Sequence, residues 1–459
     1  MKHLRLSHHK WFFIPAGIIL LFIALYYTPL PEEFLNLALR LQQPDFAPNY
    51  AGALIFFLLI SGVYSFQYLS RKPRLADFPT HVFHTGTGVA SVDGITRGGS
   101  SPSSLSRQSI WLVSPFYDLF FITLSATLVI FPHLTYRFLG QNIYVDLTVT
   151  MLIGGPHLFA TYTLTFMEPR FRERYPVYTW GALILPPLII TTAILNLTLL
   201  VTIFFFWASV HVIHQIAYIT DAYRMKDPRG WKIASRLIDY GLLATALYPI
   251  ATQKLIHGQF ETGGRVLLFP EFLKQGWMIY PVWFLFLFFA TAFVVRSVWE
   301  ARHGLFHGPK TLLIGLSAIL FFFTPMLQNL DVAFQGLNTW HSFQYLAIVL
   351  YLNRFRAEKG FIGSKAVEAF SRKGYNLYAL CLGFTLLAGI AYFGVLTLVH
   401  QLGAFTTGGP FKMILLGEVS MDQHFFAFYS VVLSCLLIHY YFDHFLFLQR
   451  DKVITPKWN

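Results

Sequence analysis

The sequence predicts an all-α fold: a polytopic membrane helix bundle of about twelve transmembrane helices with both termini cytoplasmic. Three observations carry this. Apolar runs long enough to cross a hydrocarbon core, about 20 residues each, recur along the whole chain. Charged residues make up 12% of the 459 positions, against about 25% in ordinary soluble domains. The basic residues gather in short segments between alternate runs, as the positive-inside rule expects.

The runs begin near Trp11, Tyr50, Trp111, Ile143, Val177, Leu197, Leu237, Met278, Thr311, Leu330, Tyr375 and Gln423. The first follows Lys2, Arg5 and Lys10 as a signal peptide would. Pro29-Leu30-Pro31 makes a poor small-residue cleavage site, however, so the run reads as a retained helix. The fifth and sixth runs meet near Leu195-Asn196, and the ninth and tenth near Pro325. Placing both termini in the cytoplasm puts 28 of the 34 Lys and Arg inside, leaving Arg40, Arg137, Lys254, Arg265, Lys274 and Lys412 outside. The compact loops suggest a bacterial inner membrane.

Residues 1–75 form a two-helix N-terminal section, residues 76–110 a cytoplasmic loop, and residues 111–459 a ten-helix core. The stretch Gly98-Gly99-Ser100-Ser101-Pro102-Ser103-Ser104 gives the loop a linker composition. A net charge of +12 distributed in this way matches membrane topology and gives no reason to expect nucleic acid. Cys381 and Cys435 sit in apolar runs without CxxC spacing and read as packing thiols.

Four histidines stand at a common depth. His157 precedes Arg170, His211 precedes Arg224, His341 precedes Arg354 and His439 precedes Lys452, each by thirteen residues. At 1.5 Å per residue each lies roughly 20 Å from its basic anchor, near the middle of a core about 30 Å thick. A single intramembrane histidine often only hydrogen-bonds across helices. Four at one depth on four helices point to a shared metal site, because polar groups there are costly and usually functional.

The neighbouring residues extend the pattern. His211-Val212-Ile213-His214-Gln215 puts His211, His214 and Gln215 on one helical face, and His341 and Gln344 stand in the same relation. Asp443 lies one turn from His439 and can serve as a ligand or orient an imidazole, whereas His444 turns away from that face. The expected metal ligands are therefore His157, His211, His214, His341 and His439, supported by Gln215, Gln344 and Asp443. Gly154-Gly155-Pro156, just before His157, predicts a close helix approach or a break.

Asp331 and Gln335, one turn apart on the outer half of the tenth helix, are candidates for an access path, with Asp146 near the outer end of the fourth. Asp118 and Asp239 lie near helix starts, where an acid is favoured. His424 is too far along its helix to share the site, and His81, His84, His303 and His307 read as solvated.

The HxxHQ and HYxxDH spacings (His211 to Gln215, His439 to His444) resemble those of the histidine-box iron oxygenases, namely desaturases, hydroxylases and alkane monooxygenases. Intramembrane histidines on several helices are also similar to the bacterial membrane β-carotene dioxygenases. The sequence has no HxxHH box, and its HxxxH pair, His303 and His307, lies in a loop. The resemblance implies non-haem iron, with haem, copper or zinc as alternatives. It also implies an oxidoreductase acting on a membrane lipid or other lipophilic small molecule, supplied with electrons by an external donor because no nucleotide or flavin fingerprint is present. A haem-binding redox protein and a proton or metal-ion transporter are the alternatives.

Overall fold

A computed structural model describes residues 110–225, 233–358, 360–405 and 421–448. The helices expected from Trp11 and Tyr50, the long loop with His81 and His84, both termini, Lys452 and the side chain of His444 lie outside the described residues. So does any test of which side the termini occupy.

Among the described residues the chain is helical apart from a two-stranded hairpin, β1 (Glu261–Thr262) with β2 (Arg265–Val266). The main helices are α1 (Pro115–Leu139), α2 (Asn142–Leu164), α3 (176–195), α4 (197–225), α5 (Ile233–Ala246), α6 (Tyr248–Ile256), α7 (Ile279–Arg302), α8 (Gly308–Phe323), α9 (Leu330–Glu358), α10 (Gly374–Phe405) and α11 (Met421–Leu448). Among the described residues, seven helical stretches are long and apolar enough to cross a membrane. One of these, the 49-residue run Pro176–Arg224, would extend about 74 Å if straight, more than twice a hydrocarbon core. It breaks at Asn196, whose backbone is non-helical at φ −159° and ψ 90°. The Asn196 side chain accepts the Leu199 amide at 2.9 Å and so caps the start of α4. The joint near Pro325 is a single 3₁₀ turn, Thr324–Met326.

The exterior is a sheath of large apolar side chains. Phe138, Phe284, Phe288, Val294, Val295 and Ile390 are all more than half exposed. A water-facing surface rarely carries so broad an apolar area, whereas lipid accepts it. The chain is thus built as an integral membrane protein.

The interior is polar where α9 runs. This helix packs on α1 and α2, while α11 packs on α4, α10 and α2. One end is pinned by buried ion pairs. Arg224 bonds Asp221 and Asp239, Arg236 bonds Asp221 at 3.0 Å, and Arg296 bonds Asp239, tying α4, α5 and α7 together. At the same end Glu168 bonds Arg356 at 2.8 Å and the Gly363 amide. Asp118 accepts the Leu112 and Val113 amides and the Tyr223 hydroxyl. Asp239 has a larger part than a helix start requires, since two arginines share it. His303 is exposed against Trp299. His307 is not solvated as the sequence suggested: it is buried against Tyr223, and its ring accepts the Lys310 amide at the start of α8. A loop position before a helix is read as exposed by default, but capping demands an acceptor there. Cys381 and Cys435 are free thiols, buried and half-buried.

Distortions concentrate in α1 and α2. Asp118–Thr123 and Thr150–Gly154 have π geometry, which inserts an extra residue in a turn and frees backbone groups. Pro156 cannot donate to the Leu152 carbonyl, and the Tyr378 hydroxyl takes its place at 2.6 Å. Gly155 lies where a Cβ would stand 2.2 Å from Thr385 Cγ2 and 2.8 Å from the Thr150 carbonyl oxygen. Gly155→Ala is therefore expected to destabilise the bundle by about 1–3 kcal/mol, read as a lower melting temperature in detergent. Gly394→Ala, where a Cβ meets nothing within 4 Å, should melt as wild type.

Candidate metal centre

The π turn sets the rotation of α2 so that His157 points inward. Three other histidines meet it, His211 from α4, His341 from α9 and His439 from α11, and all four are buried. The Nε2 atoms of His157 and His439 are 3.1 Å apart, and those of His211 and His341 are 3.2 Å apart. Asp443 Oδ2 faces the same point, 3.5 Å from His439 Nε2 and 3.9 Å from His211 Nε2. The ligand atoms of His157, His341 and His439 lie within 4.8 Å of one another, as do those of His211, His439 and Asp443. These groups can hold a metal ion: nitrogens bound to one cation at 2.0–2.1 Å are about 3–3.5 Å apart.

Hydrogen bonds orient the rings. His157 Nδ1 approaches the Gly154 carbonyl, which only accepts, so this nitrogen carries the hydrogen. It also lies 2.9 Å from Ser342 Oγ. His439 Nδ1 bonds Thr161 Oγ1 at 2.6 Å, and Thr161 also contacts the Tyr345 hydroxyl at 2.7 Å and Asp443 Oδ1 at 3.1 Å. The Nε2 atoms of the two rings, 3.1 Å apart, are spaced as two ligands of one cation would be. Neutral imidazoles and a carboxylate are the forms that ligate.

Asp443 gives the second indication. Its Oδ1 is saturated by Thr161 and by Tyr345, whose hydroxyl donates at 2.6 Å. Its Oδ2 is buried with no hydrogen-bond partner. A buried carboxylate oxygen without a hydrogen bond carries a desolvation penalty, and this one faces the Nε2 atoms of His439 and His211. The chemistry of the donor set fits a divalent ion.

Comparison with known protein families, with curated proteins and with solved structures finds no match. The likeness to histidine-box oxygenases therefore rests on the spacings alone.

The structure brings His157, His211, His341, His439 and Asp443 together. His214 stands outside the group: its Nε2 bonds the Tyr240 hydroxyl at 3.0 Å, toward α5. Three residues along a helix advance about 300°, and the remaining 60° separates the two rings enough to aim them at different neighbours. Gln215 donates to the His341 carbonyl at 3.1 Å and to Gln344 Oε1 at 3.2 Å, while Gln344 reaches the Ile122 carbonyl. These amides join α4, α9 and α1 and fix the backbone that carries His341. His424 bonds Tyr392 away from the centre.

Thr161, Ser342 and Tyr345 escaped the sequence reading. Thr161 follows His157 by four residues and Tyr345 follows His341 by four, the same-face relation that singled out Gln215. Applying that rule to hydroxyls as well as amides would have found both. Residues that orient ligands typically cost 10–100-fold in metal affinity when lost. Tyr345→Phe and Thr161→Val are each expected to weaken binding by about that factor, measured by competition with a chromophoric chelator. Tyr240→Phe, which removes the hydroxyl bonded to His214, should leave affinity unchanged.

Proposed function

We propose that this chain is a membrane metalloenzyme that holds non-haem iron on His157, His211, His341, His439 and Asp443 and oxidises a lipophilic molecule. The observation that carries the reading is a pair of overlapping buried donor groups, His157 with His341 and His439, and His211 with His439 and Asp443. Five donors exceed the closed tetrahedron that structural zinc prefers. They suit a five- or six-coordinate ion, and imidazole with carboxylate is a familiar donor set for iron. Cysteine, which would select other metals, is absent from the group. Haem fits poorly, because opposed nitrogens 3.1 and 3.2 Å apart leave no slot for a macrocycle. When bound, iron in such a set supplies one-electron and dioxygen chemistry, with electrons from an external donor.

The substrate class follows from a cavity of about 90 Å³ that reaches His341. Its walls include Phe206, Val212, Ala251, Leu255, Phe321 and Ala333, drawn from α4, α6, α8 and α9. An apolar pocket beside a metal selects hydrocarbon over polar substrates. Tyr248 and Ser209, bonded to each other at 3.2 Å, add a small polar point on its wall. The twelve-helix count, cytoplasmic termini and bacterial inner membrane belong to the same proposal, supported in turn by the apolar runs, the distribution of basic residues and the compact loops.

Protein purified after expression in iron-supplemented cells is expected to carry stoichiometric iron by elemental analysis. His341→Ala and Asp443→Ala should lose most of it, while His214→Phe should keep it. Metal-free wild-type protein, or a Soret band, would overturn the assignment. Ala333→Trp is expected to retain iron but to stop copurification of, or turnover of, the lipophilic ligand, followed by mass spectrometry of organic extracts.

A further inference from the structure

A second cavity reaches the centre from another direction and carries a row of polar groups along one of its otherwise apolar walls. It has a volume of about 50 Å³ and runs from Thr262 and Asp331, beside the hairpin, to His157. Its lining includes Asp146, Gln335 and Asn338 but no lysine or arginine. Facing these are Phe204, Leu433 and Leu436. It shares Phe205, Phe334, Asn338 and Tyr440 with the apolar cavity. The Phe205 and Phe334 rings pack at 4.5 Å, so this aromatic pair forms a partition between the two spaces.

The polar side is one stripe of α9. Asp331, Gln335, Asn338 and Ser342 are spaced by four, three and four residues, which keeps them on a single face over about 16 Å. Their hydrogen bonds all run one way. His157 Nδ1 donates to Ser342, Ser342 to Asn338 Oδ1 at 3.2 Å, Asn338 to Gln335 Oε1 at 3.0 Å, and Gln335 to Asp146 Oδ1 at 2.7 Å. Two amides in series cannot readily accept and release a proton, so the chain is a poor proton wire. Its oxygens are instead the hard donors that a partly hydrated cation prefers.

The charge distribution points the same way. Asp146 is 5% exposed, and among the described residues no basic side chain pairs with it. Asp331 is held by Asn142, Thr262 and the Gly263 amide, again without a cationic partner among those residues. Two carboxylates in a narrow space with low-dielectric walls concentrate cations and raise their rate of arrival by 10–10³. Burying Asp146 without a fixed partner is the arrangement a passing cation requires, since a permanent ion pair would close the route.

We infer that this cleft is the aqueous entrance by which a divalent cation reaches the centre, separate from the apolar cavity that takes the organic substrate. The inference rests on the metal-centre reading above. Apo-protein in detergent would be mixed with Co²⁺, and the growth of its ligand-field absorption followed in time. The Asp146→Asn/Asp331→Asn double variant is expected to reach the wild-type final absorbance at least tenfold more slowly. Its rate should also lose the steep fall with added inert salt that the wild type shows. Gln335→Leu, which keeps both charges and removes the oxygen step, should slow loading independently of salt. Loading of both variants at the wild-type rate, with full final absorbance, would overturn the entrance and leave the centre standing. Absence of Co²⁺ binding by wild-type protein would instead remove the centre, and the entrance with it.

Discussion

The bundle depends on one electrostatic problem at its middle. Four imidazoles and a carboxylate are gathered in the buried interior, and hydrogen bonds with Gly154, Ser342, Thr161 and Tyr345 fix their arrangement. Polar groups left unsatisfied in such a place cost several kcal/mol each. The surrounding structure commits further resources to keeping them there. A π turn rotates His157 inward, the Tyr378 hydroxyl repairs the bond that Pro156 breaks, and Thr161 and Tyr345 saturate one oxygen of Asp443 while leaving the other bare. These hydrogen bonds satisfy the surrounding polar groups and hold the donor set that a cation would complete.

The same logic explains why α9 differs from the helices around it. A lipid-facing helix such as α7 is apolar along its outer surface, where it exposes Phe284, Leu287, Val294 and Val298, and its Arg296 turns inward to Asp239. Helix α9 carries Gln335, Asn338, His341, Ser342, Gln344 and Tyr345 and is not among the seven stretches apolar enough to be recognised as spans. It can be so polar because α1 and α2 cover it. Close cover in turn requires small residues at the crossings. Gly336 meets the Val129 carbonyl, where a Cβ would lie 2.7 Å away, and Gly155 meets Thr385. Polar content and small-residue packing are therefore one constraint seen from two sides.

Much of this was legible in the sequence because membranes impose simple rules on helix length and charge. The equal thirteen-residue offsets picked out His157, His211, His341 and His439 without any coordinates. The break at Asn196 and the turn at Pro325 were visible as an asparagine and a proline between apolar runs. What escaped was rotation about the helix axis. His214 looks equivalent to His211 in a linear reading, yet the 60° between them sends one to the centre and the other to Tyr240. The π turns escaped as well, because they are decided by the fit between α2 and its neighbours and not by local residue preference. The basic anchors fared differently. Arg224 is buried in ion pairs with Asp221 and Asp239, whereas Arg354 is exposed and pairs with Glu358, and Arg356, two residues on, is buried against Glu168.

Two cavities meeting one centre follow from the chemistry that centre would perform. A hydrocarbon substrate needs a dry, apolar approach, and a cation needs oxygen donors and water, so one passage cannot serve both. The Phe205–Phe334 pair divides them, and Asn338 and Tyr440 border each side. The division also gives the histidines distinct surroundings. His157 is tied through Ser342 to the polar stripe, whereas His341 lines the apolar space with its Nδ1 unpartnered among the described residues. His157, beside the polar stripe, is therefore more firmly oriented by hydrogen bonds than His341, beside the apolar cavity. A centre with one braced side and one yielding side can keep its ion in place while the other side adjusts to an incoming molecule.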